Sequence, residues 1–173
     1  MNKKHIILIT LLLSILFPIQ VYSQINSDEF EETVIKFPDE LDKKAKELEN
    51  IIVYLRDKSI VLKTESEVLT VMNIMSSIEQ VVSQYKLLVY LTRLGQSKYI
   101  SKYLFLDYNF NFVRNIAEEK QKNISNLYLR INGMSASINS NAVLRSVKDA
   151  KQNMRISQEL IDVYIGMLKI IIK

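Results

Sequence analysis

The sequence predicts an all-α protein: an antiparallel, up-down-up-down four-helix bundle of long helices behind a cleaved signal peptide. Three observations carry that expectation. Only three glycines and two prolines interrupt 173 residues, of which 48% are hydrophobic. Apolar residues recur at alternating three- and four-residue spacings over several long stretches, the period of a helix that buries one stripe. The stretches are joined by short polar segments, which makes consecutive helices antiparallel neighbours. The rival architecture is a coiled coil of two or three helices that completes its core by dimerising.

Residues 1–23 read as the signal peptide. Lys3 and Lys4 supply the positive end, Ile6 to Phe17 the apolar run, and Pro18 its end. Val21-Tyr22-Ser23 suits cleavage after Ser23. The run is shorter than the ~20 residues a membrane span needs, so a retained anchor is the lesser reading. Export follows, to the periplasm or the outside. Without the two leader lysines, 21 basic residues face 19 acidic ones. That balance argues against nucleic acid, whose binders cluster Lys and Arg on one face.

Residues 24–37 form a polar, acidic lead-in, readable as a short helix or a strap. The bundle domain follows at 38–173. Pro38 suits the first turn of the first helix, with Asp39 and Glu40 at its positive end. Its seam is Leu41, Ala45, Leu48, Ile52, Leu55, and the helix runs to about Leu62. Glu40–Lys44 and Lys43–Glu47 are spaced for pairing on the outer face.

Thr64-Glu65-Ser66-Glu67 has the form of a capping box and opens the second helix. The seam there is Val68, Val71, Met75, Ile78, Val82, Tyr85, Val89, widened by Leu69, Met72, Val81 and Leu88. Glu79 is the only charge from Val68 to Tyr85, so this helix is expected to be the most enclosed. Gly95 is the expected left-handed stop.

The third helix is expected over Lys98 to Gly133, with the seam Tyr99, Tyr103, Leu106, Phe110, Val113, Ala117, Lys120, Ile124, Leu127, Ile131. Lys120 alone breaks it. Arg114, Glu118 and Lys122 are spaced for ion pairing on the outside. A connecting loop follows at 134–141, and Ser140 or Asn141 caps the fourth helix. Its seam is Val147, Ala150, Met154, Ser157, Ile161, Tyr164, Leu168, Ile171. Met72, Met75 and Met154 read as gap-filling core residues.

Chemistry is scarce. There is no cysteine, and the one histidine, His5, lies in the leader. Thiol and imidazole nucleophiles, Cys or His metal sites and histidine-ligated haem are thereby removed from the mature chain. Gly95, Gly133 and Gly166 are too far apart to form a phosphate loop. Glu118 and Glu119 are adjacent, and adjacent helical residues diverge. The expectation is a non-enzymatic protein with no catalytic residue, cofactor or metal.

One feature exceeds what a bundle needs. Phe105, Tyr108 and Phe112, with Ile116 at their edge, fall opposite the seam of the third helix, and six of the fifteen Phe and Tyr residues lie between Tyr99 and Phe112. The plain reading is a sandwiched helix. The functional one is an interaction face, where aromatics are enriched. Ile170 and Ile172 are likewise surplus to the core and mark a C-terminal contact or a touch on a membrane surface. The functional expectation is therefore protein–protein interaction, with a partner or another copy. The alternative is a carrier of an apolar or lipid-like ligand held between helices.

Overall fold

A computed structural model describes residues 27–96 and 106–171, and the side chains of 35–94 and 111–170. The leader lies outside the described residues. All regular structure among those residues is helical: α1 (Ser27–Ser59), α2 (Glu65–Gln96), α3 (Leu106–Ser135) and α4 (Asn141–Ile171). Each has 30 to 33 residues, roughly 45–50 Å at ~1.5 Å per residue. None is long and apolar enough to cross a membrane. The chain divides at Val34 into a segment, helical from Ser27, and a compact unit of residues 35–173.

Within that unit the helices pack neighbour on neighbour, as in a bundle. Pairings show how they run. Asp39 meets Arg93 and Glu49 meets Lys86, so α1 and α2 are antiparallel. Lys151 donates to Asn132 at 2.7 Å, Gln158 to Ser125 at 2.7 Å, and Lys169 pairs with Glu118 at 3.0 Å, so α3 and α4 are antiparallel too. Asn153 of α4 donates to the Lys44 carbonyl and to Glu47 of α1, while Phe37 stacks on Tyr164 with ring centroids 3.9 Å apart.

The seams face inward. Leu41, Ala45, Leu48, Ile52 and Leu55 of α1 are buried, as are Val113, Ala117, Ile124 and Ile131 of α3 and Val147 to Leu168 of the α4 seam. Lys120, where the α3 seam breaks, lays its stem against the protein and turns its ammonium to Glu119 at 2.8 Å.

Several boundaries differ from expectation. Helix α1 begins at Ser27, and Pro38 lies inside it rather than in its first turn. A proline within a helix deletes one backbone bond. The buried Phe37 and Leu41 on either side hold the helix across that gap. At its other end α1 stops at Ser59, leaving Leu62 half-buried in the connection. Gly95 and Gly133 are helical rather than left-handed stops, since no described glycine has a positive φ. The start expected at Lys98 lies outside the described residues. On the surface, Lys44 pairs with Glu47 and Glu118 with Lys169, in place of the Lys43–Glu47 and Arg114–Glu118 pairs that spacing suggested.

The α2 start is half of a capping box. The Glu67 amide donates to Thr64 Oγ1 at 3.3 Å. The Glu67 carboxylate, only 7% exposed, does not fold back. Its Oε1 accepts the amides of Asn139 and Ser140, both at 2.9 Å, at the N-terminus of α4. The residue thus ties two helix starts together, its amide capped by Thr64 at α2 and its carboxylate receiving the amides that lead into α4.

Candidate interaction surface

Helix α2 carries the most unusual surface. Its inner face is apolar, with Val71, Ile74, Ile78, Val81, Val82, Tyr85, Leu88 and Val89 buried. Its outer face is not charged. Leu69, Met72, Asn73, Ser76, Gln80, Ser83, Leu87, Tyr90 and Leu94 are all exposed, Leu69 by 59% and Tyr90 by 64%. At about 100° per residue they fall within one sector roughly 100° wide. The Ser83 hydroxyl donates to the Glu79 carbonyl of its own helix, which leaves that position less polar than its name suggests.

The charges of α2 are placed elsewhere. From Val68 to Leu94 there are three, Glu79, Lys86 and Arg93, one heptad apart. All three turn to α1. Glu79 pairs with Arg56 at 3.8 Å, Lys86 with Glu49, and Arg93 with Asp39 at 2.8 Å and Asp42 at 4.0 Å. Arginine and lysine beside Asp42 help hold its carboxyl below the ordinary aspartate value, Lys46 contributing most through a hydrogen bond. A shallow groove of about 390 Å³ follows this ladder, lined by Glu49, Val53, Arg56, Glu79, Ser83 and Lys86 among others. It borders the uncharged stripe at Ser83. The surface is a long uncharged strip, apolar toward both ends and polar from Asn73 to Ser83, edged by fixed ion pairs.

This finding corrects the expectation for α2. Val81 and Leu88, read as widening the core, are buried as expected, but a charge-poor helix is not for that reason enclosed all round: Leu69 and Met72, read the same way, are exposed, and Met72 is not a core methionine. Met75 is half-buried and Met154 fully buried. The missed signal was in the chain. Its apolar residues extend around the helix, and its few charges share one edge.

The residues singled out from sequence are on other helices or outside the described residues. Phe105 lies outside the described residues. Tyr108 is in α3, with its side chain outside them. Phe112 is 50% exposed and Ile116 half-buried. Ile172 is outside, while Ile170 is exposed and ends a row on α4 made of Ile156, Leu160, Val163, Met167 and Ile170.

Between α2 and α4 the core holds two polar pairs. Thr92 Oγ1 lies 3.3 Å from the Tyr164 hydroxyl, and its proton also meets the Leu88 carbonyl at 2.8 Å. One heptad earlier, Tyr85 lies beside Ser157. The Ser157 hydroxyl donates to the Asn153 carbonyl, and the Tyr85 phenol has no hydrogen bond of good geometry. Burial pushes the ionisation of both phenols above the ordinary tyrosine value, Tyr85 the more strongly. The chain matches no protein-family model, no curated protein and no solved structure.

Proposed function

We propose that this is an exported, non-enzymatic protein, an up-down-up-down four-helix bundle behind a cleaved signal peptide, that acts by binding protein. The observation that supports this reading is the outer face of α2. Five large apolar or aromatic side chains, Leu69, Met72, Leu87, Tyr90 and Leu94, stand uncovered toward its two ends, and exposed apolar groups of this kind mark interaction sites. Tyr90 and Met72 are residue types enriched in interfaces, charge is depleted there as it is on this strip, and Asn73, Ser76, Gln80 and Ser83 supply hydrogen-bonding groups between the apolar ends. The seam and leader read from the sequence support the bundle and the export. Phe112 on α3 and Ile170 on α4 are secondary contact positions on the same reading.

A photo-reactive phenylalanine analogue at position 90, introduced in the producing cell, tests it. The expected result is a cross-linked protein adduct that disappears when Leu87 is changed to Glu. An equal adduct at exposed Lys148, or none at position 90, refutes the binding role of this face.

A further inference from the structure

We infer that the occupant of the α2 face is a second copy of the same chain, its α2 lying antiparallel across a two-fold axis between Val81 and Val82. The inference rests on the binding role proposed above and names the partner. It follows from the order of residues along the strip. Read from either end, the exposed positions complement each other. Leu69 stands opposite Leu94, Asn73 opposite Tyr90, Ser76 opposite Leu87, and Gln80 opposite Ser83. Every such pair is reached by a single antiparallel alignment, and each sets large against small or apolar against apolar. Small Ser76 and Ser83 leave room for Leu87 and Gln80 of the other copy. A two-fold interface demands this property, because one patch must fit itself.

The edges agree. The same alignment brings Met72 beside Arg93, and Glu79 beside Lys86, of the other copy. Glu79 and Lys86 are therefore of opposite sign where the two edges meet, twice by symmetry. Only an antiparallel two-fold brings the same edge of both copies together, and the charges that meet on it attract.

The strip from Leu69 to Leu94 is roughly 38 Å long and one helix wide, about 10 Å. Two copies would bury on the order of 800 Å², below the range of permanent interfaces. The expected dimer is reversible, with a dissociation constant in the micromolar range.

Sedimentation velocity on the whole isolated chain, from about 1 to 200 μM, tests this against the size of interface argued above. Expected is a monomer–dimer equilibrium that Leu87→Glu weakens ~30-fold or more, with the helical circular dichroism unchanged. The chain has no cysteine of its own, so orientation is read separately. A mixture of Ser76→Cys and Leu87→Cys chains, oxidised mildly, should give a disulfide heterodimer faster than either variant alone gives a homodimer. Faster homodimers in either single variant overturn the antiparallel alignment. A chain that stays monomeric throughout, yet gives the position-90 adduct with a foreign protein, overturns self-pairing and leaves the face as a binding surface. A monomer without that adduct fails both.

Discussion

Replacing Tyr85 with Phe isolates the cost of a buried phenol. The ring is fully buried, and its hydroxyl has no hydrogen bond of good geometry. At neutral pH the substitution removes a polar group that gains little from burial. Stability should therefore stay level or rise, within about 1 kcal/mol. Tyr164→Phe should behave differently, since it deletes the hydroxyl that Thr92 meets at 3.3 Å and should cost roughly 0.5–1.5 kcal/mol. At high pH the two phenols act in the same direction. Burial raises their folded-state ionisation above the unfolded value, Tyr85 most. The stability they contribute is fully present below pH ~10 and is lost as pH rises toward the folded value, because only the unfolded chain ionises in that window. Each such tyrosine removes about 1.4 kcal/mol per pH unit there. Tyr85, the more strongly shifted of the two, accounts for most of that loss. Urea melts followed by circular dichroism between pH 7 and 12, with phenolate absorbance beside them, measure this. The wild type should lose stability above pH 10 more steeply than Tyr85→Phe by about 1.4 kcal/mol per unit. A loss above ~1 kcal/mol at pH 7, or parallel alkaline limbs, would refute the reasoning, because the phenol would then be hydrogen-bonded or accessible.

Three further outcomes are expected. Glu67→Ala strips the acceptor from the Asn139 and Ser140 amides and should cost about 2–4 kcal/mol in urea melts, with Glu67→Gln costing roughly half and both amides exchanging faster in the variants. Gly133→Ala and Gly166→Ala place a methyl in open space on helical backbone, with nothing within 4 Å, and should each add about 0.5–1 kcal/mol, seen as a Tm rise of ~2–4 °C. Val82→Asp, at a position 6% exposed, buries an unpaired carboxylate and should abolish the helical dichroism of the domain at 25 °C.

The seams were legible because helical period and burial are one fact seen twice: a residue repeating at three and four lands on one side. Leu41 to Leu55, Val113 to Ile131 and Val147 to Leu168 show it. Helix ends were less legible. Gly133 suits a stop, but glycine only permits a left-handed turn, and the backbone carries on to Ser135. Pro38 suits a start, yet a helix tolerates one missing amide when Phe37 stacks on Tyr164 next to it. The destination of the Glu67 carboxylate was beyond local reading, since its partners lie 72 and 73 residues away. The surface of α2 failed for another reason. Absence of charge does not imply cover: the three charges are drawn to α1, and the rest of the face is left bare.

That ladder also decides how the first two helices can be laid against each other. Signs run minus, minus, plus along Asp42, Glu49 and Arg56, and plus, plus, minus along Arg93, Lys86 and Glu79. Apolar seams alone would accept a slip of seven residues, since they repeat at that interval. The signs do not. Sliding one way sets Arg56 against Lys86, and sliding the other sets Glu49 against Glu79. Each exposed pair adds little to stability, yet their sequence of signs makes the correct hairpin the only one without a repulsive rung. The discrimination is electrostatic, so it fades as salt shortens the reach of charge. Hairpins assembled in concentrated salt would lose this proofreading and keep only the packing of Leu48, Ile52, Ile78 and Val82 to find their place.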